Sequence, residues 1–202
     1  MNIHIDFPEY YSVEAIQKDI KPFLINGIQV EYKIKEMRVF AALEWTIPTA
    51  IVVYILKPYF DAFLKEAGKQ HFDVLSKSLK SLINKGKEMN VKLITSSETP
   101  EKLSKNYNQS LAISVLFETK KGKIIKLLFD NDLEKEDWDY AIDQMMEYVV
   151  ENYENESTSK LCDVIKDFNK ERAYKIYAII DKKTKLLNIY DDKEFIKYNR
   201  EK

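Results

Sequence analysis

The stretch from Trp45 to Leu64, WTIPTAIVVYILKPYFDAFL, is the most apolar in the chain, and any fold must cover it. Its uncharged part stops at Lys57 and Pro58, short of the roughly 20 apolar residues a membrane-spanning helix needs. Burial in protein is therefore expected, with membrane association through residues 45–64 as a lesser alternative. From Ile51 to Leu56 the run is apolar on every side, so no face suits water. It is predicted to be a buried central helix, capped by Thr46 or Thr49, with Pro48 in its first turn and a kink at Pro58.

Around this run the chain shows clear periods. Asn2 to Phe7 alternates as a strand and Pro8 ends it. Val13, Ile16, Ile20 and Leu24 recur at helical spacing after Ser12, with Asn26-Gly27 as a stop, and Ile28, Val30, Tyr32 and Ile34 alternate again. The order strand, helix, strand has the pattern of a crossover between parallel strands. Met37 to Leu43 fits neither period. After His71, the residues Phe72, Leu75, Leu79, Leu82 and Ile83 form one apolar stripe with Lys77, Lys80 and Lys85 off it, so a basic amphipathic helix is predicted, with Gly86 closing it.

Val91 to Thr95 reads as a short strand, and the polar segment SSETPEKLSKNYNQ is the best internal linker. Leu111 to Phe117 and Lys123 to Phe129 flank Thr119 to Gly122 as a hairpin. Trp138, Ile142, Met145 and Val149 mark the buried side of a long acidic helix, and a shorter helix follows around Leu161, Ile165 and Phe168. Tyr174 to Ile180 and Lys185 to Tyr190 form a second hairpin around DKKT, before a terminal helix with Phe195 and Tyr198.

The expected fold is α+β: mixed or antiparallel sheet, with two hairpins in the C-terminal half, packed against four to six helices around the buried central helix. The chain divides into 1–95 and 108–202 if it forms two units, although one continuous domain is equally compatible with 202 residues. A hydrophobic content of 45% excludes the class that stays disordered for want of a core.

Charge is segregated along the chain. Lys65 to Lys92 holds seven lysines against Glu66, Asp73 and Glu88, whereas Asp130 to Glu156 holds eleven acidic residues and only Lys135. Arginine, whose planar fork suits phosphate and base contacts, occurs only at Arg38, Arg172 and Arg200, which argues against specific nucleic-acid reading. Cys162 is the single cysteine, so no intramolecular disulfide forms, and a cytoplasmic location is expected.

Motifs that carry chemistry are weak. Asp130, Asp132 and Glu134 begin an acidic loop with the residue types of a cation site, but Lys135 stands where a calcium loop needs glycine and Ala141 where it needs glutamate. Glu118-Thr119-Lys120 has the E-x-K order in which a carboxylate holds a metal and a lysine assists water. With only His4 and His71 for imidazole, and only four glycines, neither a Cys-His apparatus nor a phosphate cradle is indicated, and no cofactor is expected.

The spacing that remains is Asp139, Asp143, Glu147 and Glu151, four carboxylates on one helix face where like charges repel. Such a strip is a solvated face or a docking surface for a basic one, on a partner or on the lysine-rich helix carrying Lys77, Lys80 and Lys85. The function expected is a non-catalytic interaction or regulatory module acting through a protein partner or self-association. A metal-dependent hydrolase or nuclease using Asp130, Asp132, Glu118 and Lys120 is the alternative.

Overall fold

A computed structural model describes residues 3–8, 12, 14, 17–18, 21, 29–35, 49–65, 69–88, 108–166 and 176–201. The described elements are strands β1 (Ile3–Pro8), β2 (Val30–Lys35) and β3 (Ile51–Ile55), helices α1 (Lys57–Lys65) and α2 (Lys69–Glu88), and strands β4 (Ile113–Glu118) and β5 (Ile124–Leu127). Helix α3 (Lys135–Glu154), a 3-10 turn (Glu156–Thr158), helix α4 (Lys160–Lys166), strands β6 (Ile176–Ile180) and β7 (Leu187–Asp191) and helix α5 (Asp192–Glu201) complete them.

The strands join in one seven-stranded sheet of order β2-β1-β3-β4-β5-β6-β7. Parallel pairs β1/β2, β3/β4 and β5/β6 alternate with antiparallel contacts, so the sheet is mixed. The β1/β2 pair is parallel, in keeping with the strand, helix, strand pattern; Glu14, Gln17 and Lys18 between them are helical. Pairing of β3 with β4 carries the sheet across the segment proposed as a linker, of which residues 96–107 lie outside the described residues. So do Met37 to Leu43 and Val91 to Thr95.

The central helix forms only in part. Ile51–Ile55 is β3, an interior strand, and only from Lys57 does the chain turn helical, with Pro58 in the first turn, where its missing N–H has no helical partner. Ile51, Val52, Val53 and Ile55 are all buried, so the strand is covered on both faces and shows no alternation. Four of the strand's five residues are β-branched, Ile51, Val52, Val53 and Ile55, a bias toward the pleated conformation that periodicity does not register.

Both C-terminal hairpins form. Gly122 (φ 78°) supplies the left-handed residue of the first turn, and Thr119 takes a backbone hydrogen bond from Gly122 and donates one to Lys123, both 2.8 Å. In the second, Asp181 Oδ1 accepts from the Lys183 and Thr184 amides at 2.9 and 2.7 Å.

One sheet face carries the main core. Ile3, Ile5, Phe7, Val53, Val115, Phe117, Ile125, Leu127 and Ala178 point toward α1 to α4, which contribute Phe60, Leu79, Ile83, Trp138, Ile142, Met145 and Leu161. Gly86 does not end α2 but lies within it, because an added Cβ would stand 2.5 Å from Ile113 Cγ2: glycine lets the helix press onto β4. On the opposite face, α5 stacks Phe195 on Tyr177 at 4.3 Å and forms a smaller core with Leu111, Leu128 and Ile179.

Candidate functional site

The oppositely charged helices lie side by side. Helix α2 carries five lysines against Asp73 and Glu88, and α3 carries seven carboxylates against Lys135. Each buries its apolar stripe on the sheet, which leaves the polar flanks to meet at the seam. There Lys80 Nζ donates to Asp143 Oδ2 at 2.5 Å, Ser76 Oγ to Asp143 Oδ1 at 2.8 Å, and Asn84 Nδ2 to Asp139 Oδ1 at 3.1 Å. Two of the four aligned carboxylates therefore face the basic helix of their own chain. This relieves the repulsion that the four-residue spacing creates.

The outward sides stay open. Glu136, Tyr140 and Glu147 are exposed along one stripe of α3, Glu151 is half-buried, and Lys77 and Lys85 are exposed on α2. Neither Glu136 nor Glu147 has an ion-pair partner among the described residues. Tyr140, 47% exposed, is a large aromatic ring pointing outward between carboxylates.

The residues of the hydrolase alternative are occupied elsewhere. Glu118 Oε2 accepts from the Lys57 amide at 2.7 Å, a carboxylate at the N-terminus of α1 where free N–H groups and the helix dipole favour it. Lys120 Nζ donates to the Tyr153 carbonyl at 2.8 Å, at the C-terminus of α3 where the dipole favours a cation. Asp130 is buried and accepts from Gln109 at 2.7 Å and Tyr198 at 2.9 Å, Asp132 pairs with Lys182 at 3.2 Å, and Glu134 precedes α3. Among the described residues, no three His, Cys, Asp or Glu side chains are grouped so as to hold a metal ion.

Sequence reasoning missed a polar cluster on the sheet face opposite the main core. His4 Nε2 lies 2.6 Å from Asp6 Oδ1, and the Tyr54 hydroxyl donates to Asp6 Oδ2 at 3.4 Å. Burial, then the Asp6 charge, pushes the Tyr54 hydroxyl up to about 12, so it stays a donor at neutral pH. Nearby, the buried hydroxyls of Thr49 and Ser114 share a hydrogen bond of 2.6 Å. The alternation of His4 and Asp6 along one strand face was a visible signal. Tyr54 was not assignable to it while residues 51–55 read as helix.

An imidazole and carboxylate in contact can orient a proton, and three candidate nucleophiles among the described residues are held elsewhere. Thr49 and Ser114 satisfy each other, and Cys162 is buried on α4, which packs in the main core on the other side of the sheet. His71 lies in the first turn of α2, its side chain outside the described residues. No described helix is long and apolar enough to cross a membrane. Comparison with protein-family models, with curated proteins and with solved structures finds no match for this chain.

Proposed function

We propose that this chain is a non-catalytic protein-interaction module whose docking surface is the outer side of the α2/α3 pair, acting in the cytoplasm. The observation that carries this reading is Tyr140 standing exposed between Glu136 and Glu147 on α3, the helix that pairs with the lysine-rich α2. An outward aromatic ring ringed by charge supplies a desolvated anchor and a steering field together, the combination that favours a basic partner segment. Asp139, Asp143 and Lys80 act from the seam by holding the helices in register, while Glu147, Glu151, Lys77 and Lys85 contribute to the surface. The hydrolase alternative gains no support from Glu118 and Lys120, which serve helix termini.

The test is affinity capture from cell lysate at low and moderate salt, comparing the wild type with a Glu136→Lys, Tyr140→Ala, Glu147→Lys variant. A partner retained by the wild type, weakened by salt and lost with the variant is expected. Equal capture by both proteins would exclude this face.

A further inference from the structure

Strand β2 ends the sheet: among the described residues no strand lies beyond it. Natural sheet edges are usually short, bulged or covered, because exposed backbone groups invite another strand. β2 has six residues, and Glu31, Tyr32, Lys33 and Ile34 are all exposed. Its register with β1 sets Val30, Tyr32 and Ile34 beside Ile3, Ile5 and Phe7, on the face that carries the main core. Yet Tyr32 is 36% and Ile34 54% exposed, so an apolar strip continuous with the core runs out to the edge uncovered. The other edge differs: Tyr190 of β7 packs against Tyr198 of α5 at 5.1 Å.

The backbone at this edge has a definite phase. Ile3 donates to the Gln29 carbonyl at 3.1 Å, and in a parallel ladder this turns the amide and carbonyl of Val30, Tyr32 and Ile34 away from β1. An added antiparallel strand must therefore bond to those three residues. For a second copy of the same strand, three registers near the middle of β2 satisfy that condition. Centred on Glu31, the pairing sets two glutamates face to face; centred on Lys33, it opposes two lysines. Centred on Tyr32, it sets Glu31 against Lys33 twice, Val30 against Ile34 twice, and Tyr32 against its own copy. All three registers keep the apolar side chains on one face, but only this one sets no like charges directly opposite each other.

We propose that two copies of this chain join their sheets through antiparallel pairing of β2 with β2, centred on Tyr32. The partner is a second copy because the strand is complementary to itself in charge, in apolar pattern and in hydrogen-bond phase at once. The pairing is independent of the α2/α3 surface and continues the sheet across a two-fold axis, the isologous form that soluble oligomers most often take.

The test is sedimentation velocity of the full chain across about 1 to 100 μM, the range in which a modest interface dissociates. The wild type should form a concentration-dependent dimer. Glu31→Lys and Lys33→Glu each replace two cross-strand attractions with two repulsions, and each should weaken the dimer about tenfold or more. The double variant Glu31→Lys, Lys33→Glu restores the complementarity and should dimerise like the wild type. An equimolar mixture of the two single variants should form a heterodimer. These side chains are exposed, so the variants should fold normally, with unchanged circular dichroism as the check. A wild type that stays monomeric throughout overturns the proposal, and so does a dimer indifferent to the single variants or not rescued by the swap.

Discussion

The two faces of the sheet are built on different principles. The face under α1 to α4 presents Ile, Val, Leu, Phe and Ala at nearly every position from β1 to β6, whereas the opposite face mixes Val52, Leu128 and Ile179 with Asp6, Thr49, Ser114, Gln109 and Asp130. Apolar burial is strong but non-directional, so the first face settles which side the helices cover without singling out partners. The second holds hydroxyl, amide and carboxylate groups that must meet particular partners, such as Thr49 with Ser114 and Gln109 with Asp130. Layering comes from one face, and discrimination between alternative pairings from the other.

The largest effect should come from charging the apolar face. Val53 is fully buried there, so Val53→Asp should cost about 4 kcal/mol or more in urea denaturation and leave little folded protein. Leu116→Asp, on the other face, is half-buried and sits opposite Lys126 in register, and should cost much less. Equal losses would mean the faces do not differ as described.

What was legible in the sequence follows the same division. β5, α2 and α3 each have a more open side, so their apolar residues recur with a period of two or of about 3.6; β1 alternates through His4 and Asp6, and Gly122 and Asp181 mark the turns, although β6, like β3, is buried throughout. β3 has no exposed side and hence no period. Its β-branched residues, with Pro58 just beyond, were the remaining signal for a strand. The order of strands was not legible, because β3 meets β4 only after a long intervening segment and nothing local records the pairing. The charged seam was legible in part: helical spacing aligns Asp139 and Asp143, but that their opposing basic face belongs to the same chain emerges only from packing. The polar cluster was hidden behind the misread strand.

A smaller effect, and a sharper test of the polar face, lies in the Thr49 and Ser114 pair. Ser114→Ala leaves the Thr49 hydroxyl buried beside a methyl group, and Thr49→Val does the converse, so each single change should cost about 1 to 2 kcal/mol. With both replaced, neither polar group remains to be desolvated, and the double variant should be more stable than the sum of the singles requires, by about 1 kcal/mol. Strict additivity would show that the two hydroxyls do not depend on each other.

The smallest effect belongs to the rim, where neither face decides. Asp181 sits at the tip of the β6 to β7 hairpin, and hydrogen bonds from the Thr184 amide and hydroxyl and the Lys183 amide hold its carboxyl below the usual range. A carboxyl depressed in the folded state adds stability that is fully present above its unfolded value of about 3.9 and is lost as pH falls through the folded value. Asp181→Asn removes the titration. Between neutral pH and about pH 3 the wild type should lose more stability than the variant, by under about 1 kcal/mol because solvent at the hairpin tip screens the half-buried carboxylate. Asp137, lowered chiefly by its hydrogen bond with Lys185 of the same turn, titrates in both proteins and cancels in the difference. Superimposable profiles of melting temperature against pH would mean that these bonds persist equally in the unfolded turn, and that the hairpin tip adds nothing to the difference between the faces.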